Sequence, residues 1–496
     1  MLKKILLLFV VVLGWVASVQ AQGSLEHWLS PIPDSHNTEP HIGEVNISNL
    51  NTVDATVEIF RGTDTSPIAT YVVPAGTNQA HALGGRGNND MVLVDDDRGM
   101  VLSDMGYHIV SDVPVSVDHR QAMGLGSYLD FQVSKGTNAI GQTFRAATYD
   151  IQRNFFNRAD FISMMATEDN TIIEVSGFVD GLTILGVNND TAVPAGHVET
   201  IVLNRGETYV MQTLGAVAAM NGVLVQADKG IVLTNGNSEG RYTVSTNRWD
   251  LLMDQSIPVT EIGTEHVVSK TENDAGDRVY VYAHTNNTSV FLNGEVTPSI
   301  TLAAGEYVAF DATDFTDDDN MHIRTTNPAY VYQISSDSVG EIGMYLVPPF
   351  ICTAPRSVLV PKVDDLDGNG LLQSFHIVTR SLGEISINGT PLQDYLTAGT
   401  LTNYGTDDIN GHYIDGSTEY VSYKLSGSAL TGDILVESTQ DLYCALVVRP
   451  SVGVGTSGGG FYSGFTPTIN LRIDDAACLP QVLDVGDDLF DGYRWF

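Results

Sequence analysis

Apolar and polar positions alternate along most of this chain in short bursts, and one figure built from such bursts keeps returning. In Asp160–Gly177 (DFISMMATEDNTIIEVSG) the apolar runs Phe161–Ala166 and Ile172–Val175 flank a polar centre of Glu168, Asp169 and Asn170. β-Branched and aromatic residues on both sides of a compact polar turn predict a β-hairpin. The figure recurs at Asp277–Gly294 and Gln373–Gly389, and more faintly at Gly43–Phe60. A pattern that returns at intervals of roughly a hundred residues marks a repeat architecture.

A second shared figure closes each repeat. Two short apolar runs surround a small polar motif at Ser111–Pro114, Ala227–Gly230, Thr326–Pro328 and Ser438–Asp441. Pro, Gly, Asn and Asp supply fixed or positive φ, so each motif predicts a turn between two short strands. Between the two figures, Leu203-Asn204-Arg205-Gly206-Glu207 parallels Leu302-Ala303-Ala304-Gly305-Glu306. Helical periodicity is almost absent. The pattern predicts an all-β fold of about four tandem antiparallel β repeats, at residues 41–127, 138–245, 256–345 and 355–450. Units of this length fit sandwich-like domains, while their tight spacing fits large propeller-like blades, and both readings stay open.

The segments around the repeats read differently. Lys3 and Lys4 precede an apolar run from Ile5 to Leu13, and Val19-Gln20-Ala21 follows. Residues 1–21 thus predict a secretory signal peptide cleaved after Ala21, and its paired lysines fit a bacterial source. Residues 22–40 are polar, contain proline and lack periodicity, which predicts a leader. Residues 451–465 predict a glycine-rich linker. Residues 466–496, with Tyr493-Arg494-Trp495, predict the start of a truncated immunoglobulin-like module that continues beyond Phe496. No later run reaches the ~18 apolar residues of a membrane span. The expectation is a secreted, extracellular protein without a transmembrane span.

Charge narrows the partners. Sixty acidic residues against 24 basic ones give a formal net charge of −36. Such a surface repels nucleic acid and anionic lipid, and it suits a soluble extracellular protein or one that collects divalent cations. Three cysteines, Cys352, Cys444 and Cys478, do not make a disulfide scaffold. Either Cys352 pairs with Cys444, leaving Cys478 over, or all three are free.

One stretch carries metal chemistry. Asp365-Leu366-Asp367-Gly368-Asn369-Gly370 matches the D-x-[DN]-x-[DN]-G opening of a calcium loop, with Asp365, Asp367 and Asn369 as ligands. The position that supplies the bidentate Glu of an EF-hand is His376, so the expectation is a shorter calcium-stapled β-loop. The acidic clusters Asp314/Asp317–Asp319 and Asp95–Asp97 read as solvated loops. Gly455–Gly459 fits G-x-S-x-G and Gly453–Gly458 fits G-x-G-x-x-G, yet neither has the strand–turn–helix context its chemistry needs. The histidines show no HExxH and no cysteine–histidine metal spacing. His266, His284, His322 and His376 fall in predicted strands and read as structural. Tyr280 and Tyr282 share one sheet face, and with Tyr330 and Tyr332 they form either core or, if exposed, a binding platform. Nothing here predicts an enzyme.

The run Trp249–Lys270 (WDLLMDQSIPVTEIGTEHVVSK), the figure at Asp277–Gly294, the strand Leu302–Val308 and the turn Asn327–Val331 resemble the N-terminal region of IgGFc-binding proteins. Similar regions occur in secreted bacterial proteins that also carry immunoglobulin-like or PKD-like modules and a C-terminal sorting domain. The resemblance spans roughly Ile140 to Val448. It implies a surface or secreted binding and adhesion role without catalysis. The functional expectation is a non-catalytic adhesion protein that binds a protein or glycan ligand, from host or matrix, through loops of its repeats. The rivals are the substrate-binding region of a larger secreted enzyme, such as a polysaccharide hydrolase, and a structural spacer.

Overall fold

The computed structural model describes residues 23–34, 41–94, 97–123, 128–148, 158–214, 220–240, 250–271, 277–336, 342–350, 354–364, 371–417, 419–450, 457–465, 471–473 and 483–485. The described chain is nearly all strand, with one α-helix. The first repeat holds β1 (Ser24–Leu29), β2 (Ile32–Pro33), β3 (His41–Asn49), β4 (Ala55–Arg61), β5 (Ala69–Val73), β6 (Thr77–Ala82), β7 (Val92–Leu93), β8 (Tyr107–Met123) and β9 (Tyr128–Val133). The second holds β10 (Gly141–Arg145), β11 (Arg158–Ala166), β12 (Thr171–Ser176), β13 (Ile184–Leu185), β14 (Val198–Leu203), β15 (Thr208–Leu214), β16 (Leu224–Gly240) and β17 (Asp250–Gln255). The third holds β18 (Gly263–Ser269), β19 (Arg278–Ala283), β20 (Thr288–Leu292), β21 (Ile300–Leu302), β22 (Tyr307–Asp311), β23 (Asn320–Ser336) and β24 (Ile342–Leu346). The fourth holds β25 (Ser357–Val360), β26 (Leu371–Arg380), β27 (Ile385–Ile387), β28 (Thr390–Pro391), α1 (Leu392–Ala398), β29 (Thr402–Asn403) and β30 (His412–Tyr413). It ends with β31 (Tyr420–Ser426), β32 (Ile434–Ser438), β33 (Leu442–Pro450) and β34 (Gly458–Phe461). A separate pair, β35 (Leu471–Ile473) and β36 (Leu483–Val485), follows.

One long strand organises each repeat. The Tyr107–Ser111 half of β8 lies between β4 and β1, while Ser116–Met123 lies between β3 and β9. With β5 and β6 at the edges, this makes two layers, β5-β4-β8-β1 and β6-β3-β8-β9. Period-two alternation turns Val57, Ile59 and Ile109 of one layer and Val45, Ile47 and Val117 of the other into a shared core, all fully or almost fully buried. β16 and β23 repeat the plan with their own neighbours. In the fourth repeat the long strand is divided into β32 and β33, and residues from α1 to β30 are inserted before β31.

This topology corrects both predicted figures. The strands that flank the polar turn, β3/β4, β11/β12, β19/β20 and β26/β27, do not pair with each other. Each pairs with the long strand in a different layer, so the turn is a layer-to-layer crossing rather than a hairpin. The predicted closing turn is, in the first three repeats, a bend within one continuous strand. At each bend an exposed side chain accepts a backbone N–H from the start of the crossing strand. Asp112 Oδ1 accepts from Thr56 (2.7 Å), Asp228 Oδ1 from Ile172 (2.8 Å), Thr326 Oγ1 from Ser289 (2.9 Å) and Thr439 Oγ1 from Glu384 (2.9 Å). That recurring bond is the physical content of the recurring polar motif. The paired L-x-x-G-E motifs have one as well: Glu207 accepts from Asn204 N–H (2.6 Å) and Glu306 from Ala303 N–H (2.7 Å). Gly206 (φ 82°) and Gly305 (φ 84°) close those turns in the left-handed region that favours glycine.

Both flanking segments contain strands among their described residues. Within the expected leader, β1 pairs along β8, and Trp28, Leu29 and Ile32 are buried. Within the expected linker, Gly458–Phe461 forms β34. The signal-peptide residues lie outside the described set, as do Cys352 and Cys478, while Cys444 is buried.

Each repeat is a sandwich, and the four close into a ring as blades do. The last strands, β9, β17, β24 and β34, pack against one another around a common axis: β9 on β17, β17 on β24, β24 on β34 and β34 back on β9. The seams agree. Phe161 and Leu251 of the second repeat pack with Ile32 and Met123 of the first. Tyr282 Oη of the third donates to Asn221 Oδ1 of the second (2.8 Å). Phe350 stacks on Tyr420 of the fourth at 4.0 Å. Arg120 of the first donates to Pro361 O (2.7 Å) and Tyr462 Oη (3.1 Å) of the fourth, closing the circle.

Candidate functional site

The axis is filled, not open. A Cβ on Gly343 would stand 2.7 Å from the Cα of Gly458, and one on Gly458 would stand 3.0 Å from Leu129 O. Glycine is needed at these positions for backbone approach, which explains the glycine-rich run before Phe461. At the centre lies the fully buried Asp130 of β9. Its Oδ2 accepts N–H bonds from Met253 (2.9 Å) and Met344 (3.2 Å), and its Oδ1 accepts one from Gly459 (3.1 Å). One carboxylate therefore receives an N–H from each of the other three last strands. Burial pushes the Asp130 carboxyl well above its ordinary range, while these N–H groups favour its charged form.

Two further buried acids brace β17. Asp250 accepts N–H bonds from Leu129 (3.0 Å) and Ser457 (2.9 Å). Asp254 accepts from Leu346 N–H (2.8 Å) and meets the equally buried ammonium of Lys135. These groups act as a structural hub: each is surrounded by backbone and closed off from solvent.

The end of the ring where β3, β11, β19 and β26 begin and the long strands finish carries a buried polar layer. Asp160, at the start of β11, takes Asn237 Nδ2 at 3.0 Å. Asp277, at the matching position just before β19, accepts Thr271 N–H (2.5 Å), the Thr271 hydroxyl and Ser336 N–H (3.1 Å). Burial pushes its carboxyl up to about 6. Beside it, Thr271, Ser335, Ser336, Ser374, His376 and Arg449 line a cleft between the third and fourth repeats. His376 shares a hydrogen bond with Ser374 Oγ (3.2 Å), and burial, then the charge of Lys424, pushes it down to about 3. The cleft spans about 260 Å³, part of it open solvent.

The sequence-predicted site residues are distributed as follows. Asp365, Asp367 and Asn369 lie outside the described residues, as do Asp95 and Asp96. Asp314 is engaged in a capping turn, accepting from Asp311 N–H (2.8 Å). Among the described residues no three His, Cys, Asp or Glu side chains gather in metal-binding fashion. Tyr280, Tyr282, Tyr330 and Tyr332 are each at most 2% exposed, so they are core and the binding-platform alternative falls. His266, His322 and His376 are likewise buried in strands. Gly458 and Gly459 lie in β34, and among the described residues no helix follows it, so the strand–turn–helix context of the hydrolase-like match is not met there. The sequence pattern does not single out Asp130, Asp254 and Asp277 as buried acids. The available signal was an acid between apolar neighbours, as in Leu129-Asp130-Phe131.

Residues 132–432 match the family described as IgGFc binding protein. No curated protein and no solved structure matches the chain. No helix among the described residues is long and apolar enough to cross a membrane.

Proposed function

We propose that this chain, which belongs to the IgGFc binding protein family, is a secreted, non-catalytic adhesion protein that engages a protein or glycan ligand at the cell surface. Ligand binding is what the family supports. The observation that carries the finer reading is the convergence of four equivalent sets of strand ends on one end of a closed ring. Loops on a rigid scaffold are where binding usually resides. The polar layer of Asp160, Asp277, Ser336 and His376 stiffens that end from beneath. A formal net charge of −36 favours basic partners and disfavours nucleic acid.

Calcium belongs to the same reading. Asp365, Asp367 and Asn369 of the Asp365–Gly370 motif would supply oxygen ligands to the ion. Isothermal titration is expected to show calcium heat in the parent that an Asp365→Ala/Asp367→Ala variant lacks; equal heats would remove the loop. A glycan and matrix-protein array probed with residues 22–465 tests the adhesion reading. Reproducible binding to a defined ligand supports it, and silence across the array favours a spacer.

A further inference from the structure

We propose that Lys135 and Asp254 form an intramolecular isopeptide bond that ties the first repeat covalently to the second. The two side chains come from points 119 residues apart, are both 0% exposed and touch at the ring's centre. Lys135 follows β9, and its backbone N–H is pinned by Gln255 Oε1 (2.7 Å). Asp254 is fixed by Leu346 N–H on Oδ2 (2.8 Å) and by Gln255 N–H on Oδ1 (2.8 Å). The Phe465 ring lies 5.6 Å from Nζ and helps to exclude water. Nucleophile and electrophile are thus held together without solvent, the arrangement in which effective concentration replaces a catalyst.

The chemistry balances without a co-reactant. Burial lowers the Lys135 ammonium and raises the Asp254 carboxyl, so each is driven towards its neutral form. The neutral amine Nζ attacks Cγ, and the N–C bond forms. The oxyanion that develops on Oδ2 faces the Leu346 N–H, a donor already in place for it. The Cγ–Oδ1 bond then breaks, and Oδ1 leaves as water with the carboxyl proton and one amine proton. The product is a neutral amide that can no longer ionise, which removes the desolvation cost of charging either group. Asp130 is the other buried acid whose charge acts on Lys135.

Intact mass of the purified full chain under denaturing conditions decides the matter. The expected mass is lower than the sequence mass by one water, about 18 Da. A tryptic digest should yield a branched peptide containing both residues, which separates this loss from succinimide formation at an aspartate, which also releases water. A Lys135→Arg variant, read in the same denatured measurement whether or not it folds well, should show the full sequence mass. A parent at full sequence mass, or a Lys135→Arg variant that still loses water, would overturn the proposal in favour of a buried ion pair.

Discussion

The axis of the ring and the bends at its periphery use the same device under opposite conditions. In both places an oxygen of a side chain accepts backbone N–H groups from a neighbouring strand. At the bends Asp112, Asp228, Thr326 and Thr439 are exposed, and water can replace any of them. At the axis Asp130 is fully buried, and nothing can replace it. The difference teaches that burial, not the bond itself, sets the weight of a hydrogen bond, because an unmade bond costs most where water is absent.

Substitutions test that contrast in decreasing order of effect. Asp130→Ala strands three N–H groups from three repeats and is expected to cost more than about 4 kcal/mol, read by urea unfolding. A loss of about 1 kcal/mol would show that the hub is incidental. Gly343→Ala forces a methyl against the Gly458 backbone and should cost on the order of 3 kcal/mol in the same assay.

A smaller effect is tied to pH. Burial holds His266 down to about 3, against 6.5 when unfolded. Its folded pKa is depressed, so the unfolded chain takes up the proton first, and this stability is lost as pH falls below 6.5. By pH 5 the loss is roughly 2 kcal/mol. The stability gap between the parent and His266→Gln should therefore narrow by about that amount between pH 7.5 and 5. A gap that stays constant would mean that His266 does not titrate as a buried group. The smallest effect belongs to the periphery. Asp112→Ala should cost no more than about 1 kcal/mol, and a much larger value would collapse the contrast between rim and axis.

Much of the fold was legible in the chain, since alternation reveals strands and their inward faces. Pairing was not, because Ile172–Val175 shows which side faces the core without showing which layer receives it. Pro114 read as a turn because proline rarely lies inside a sheet, yet β8 accommodates it at the bend, where the ladder is already shifted. Glycines 458–460 read as a connector because composition cannot distinguish flexibility from close approach. The candidate site was harder still. Asp130 and Asp277 are two of many acids in a strongly acidic chain, and only the closure of the ring sets them apart by burying them.

Asp130 also bears on how many repeats the protein can have. A carboxylate that serves one N–H from each neighbour has found a partner for three strands besides its own. A fifth sandwich would make the circle too wide for the glycine contacts at the axis. Open solenoids gain and lose units freely because each touches only its neighbours. Here duplication of a unit would break the centre, so the chain has room to diversify at its loops while its repeat number stays fixed.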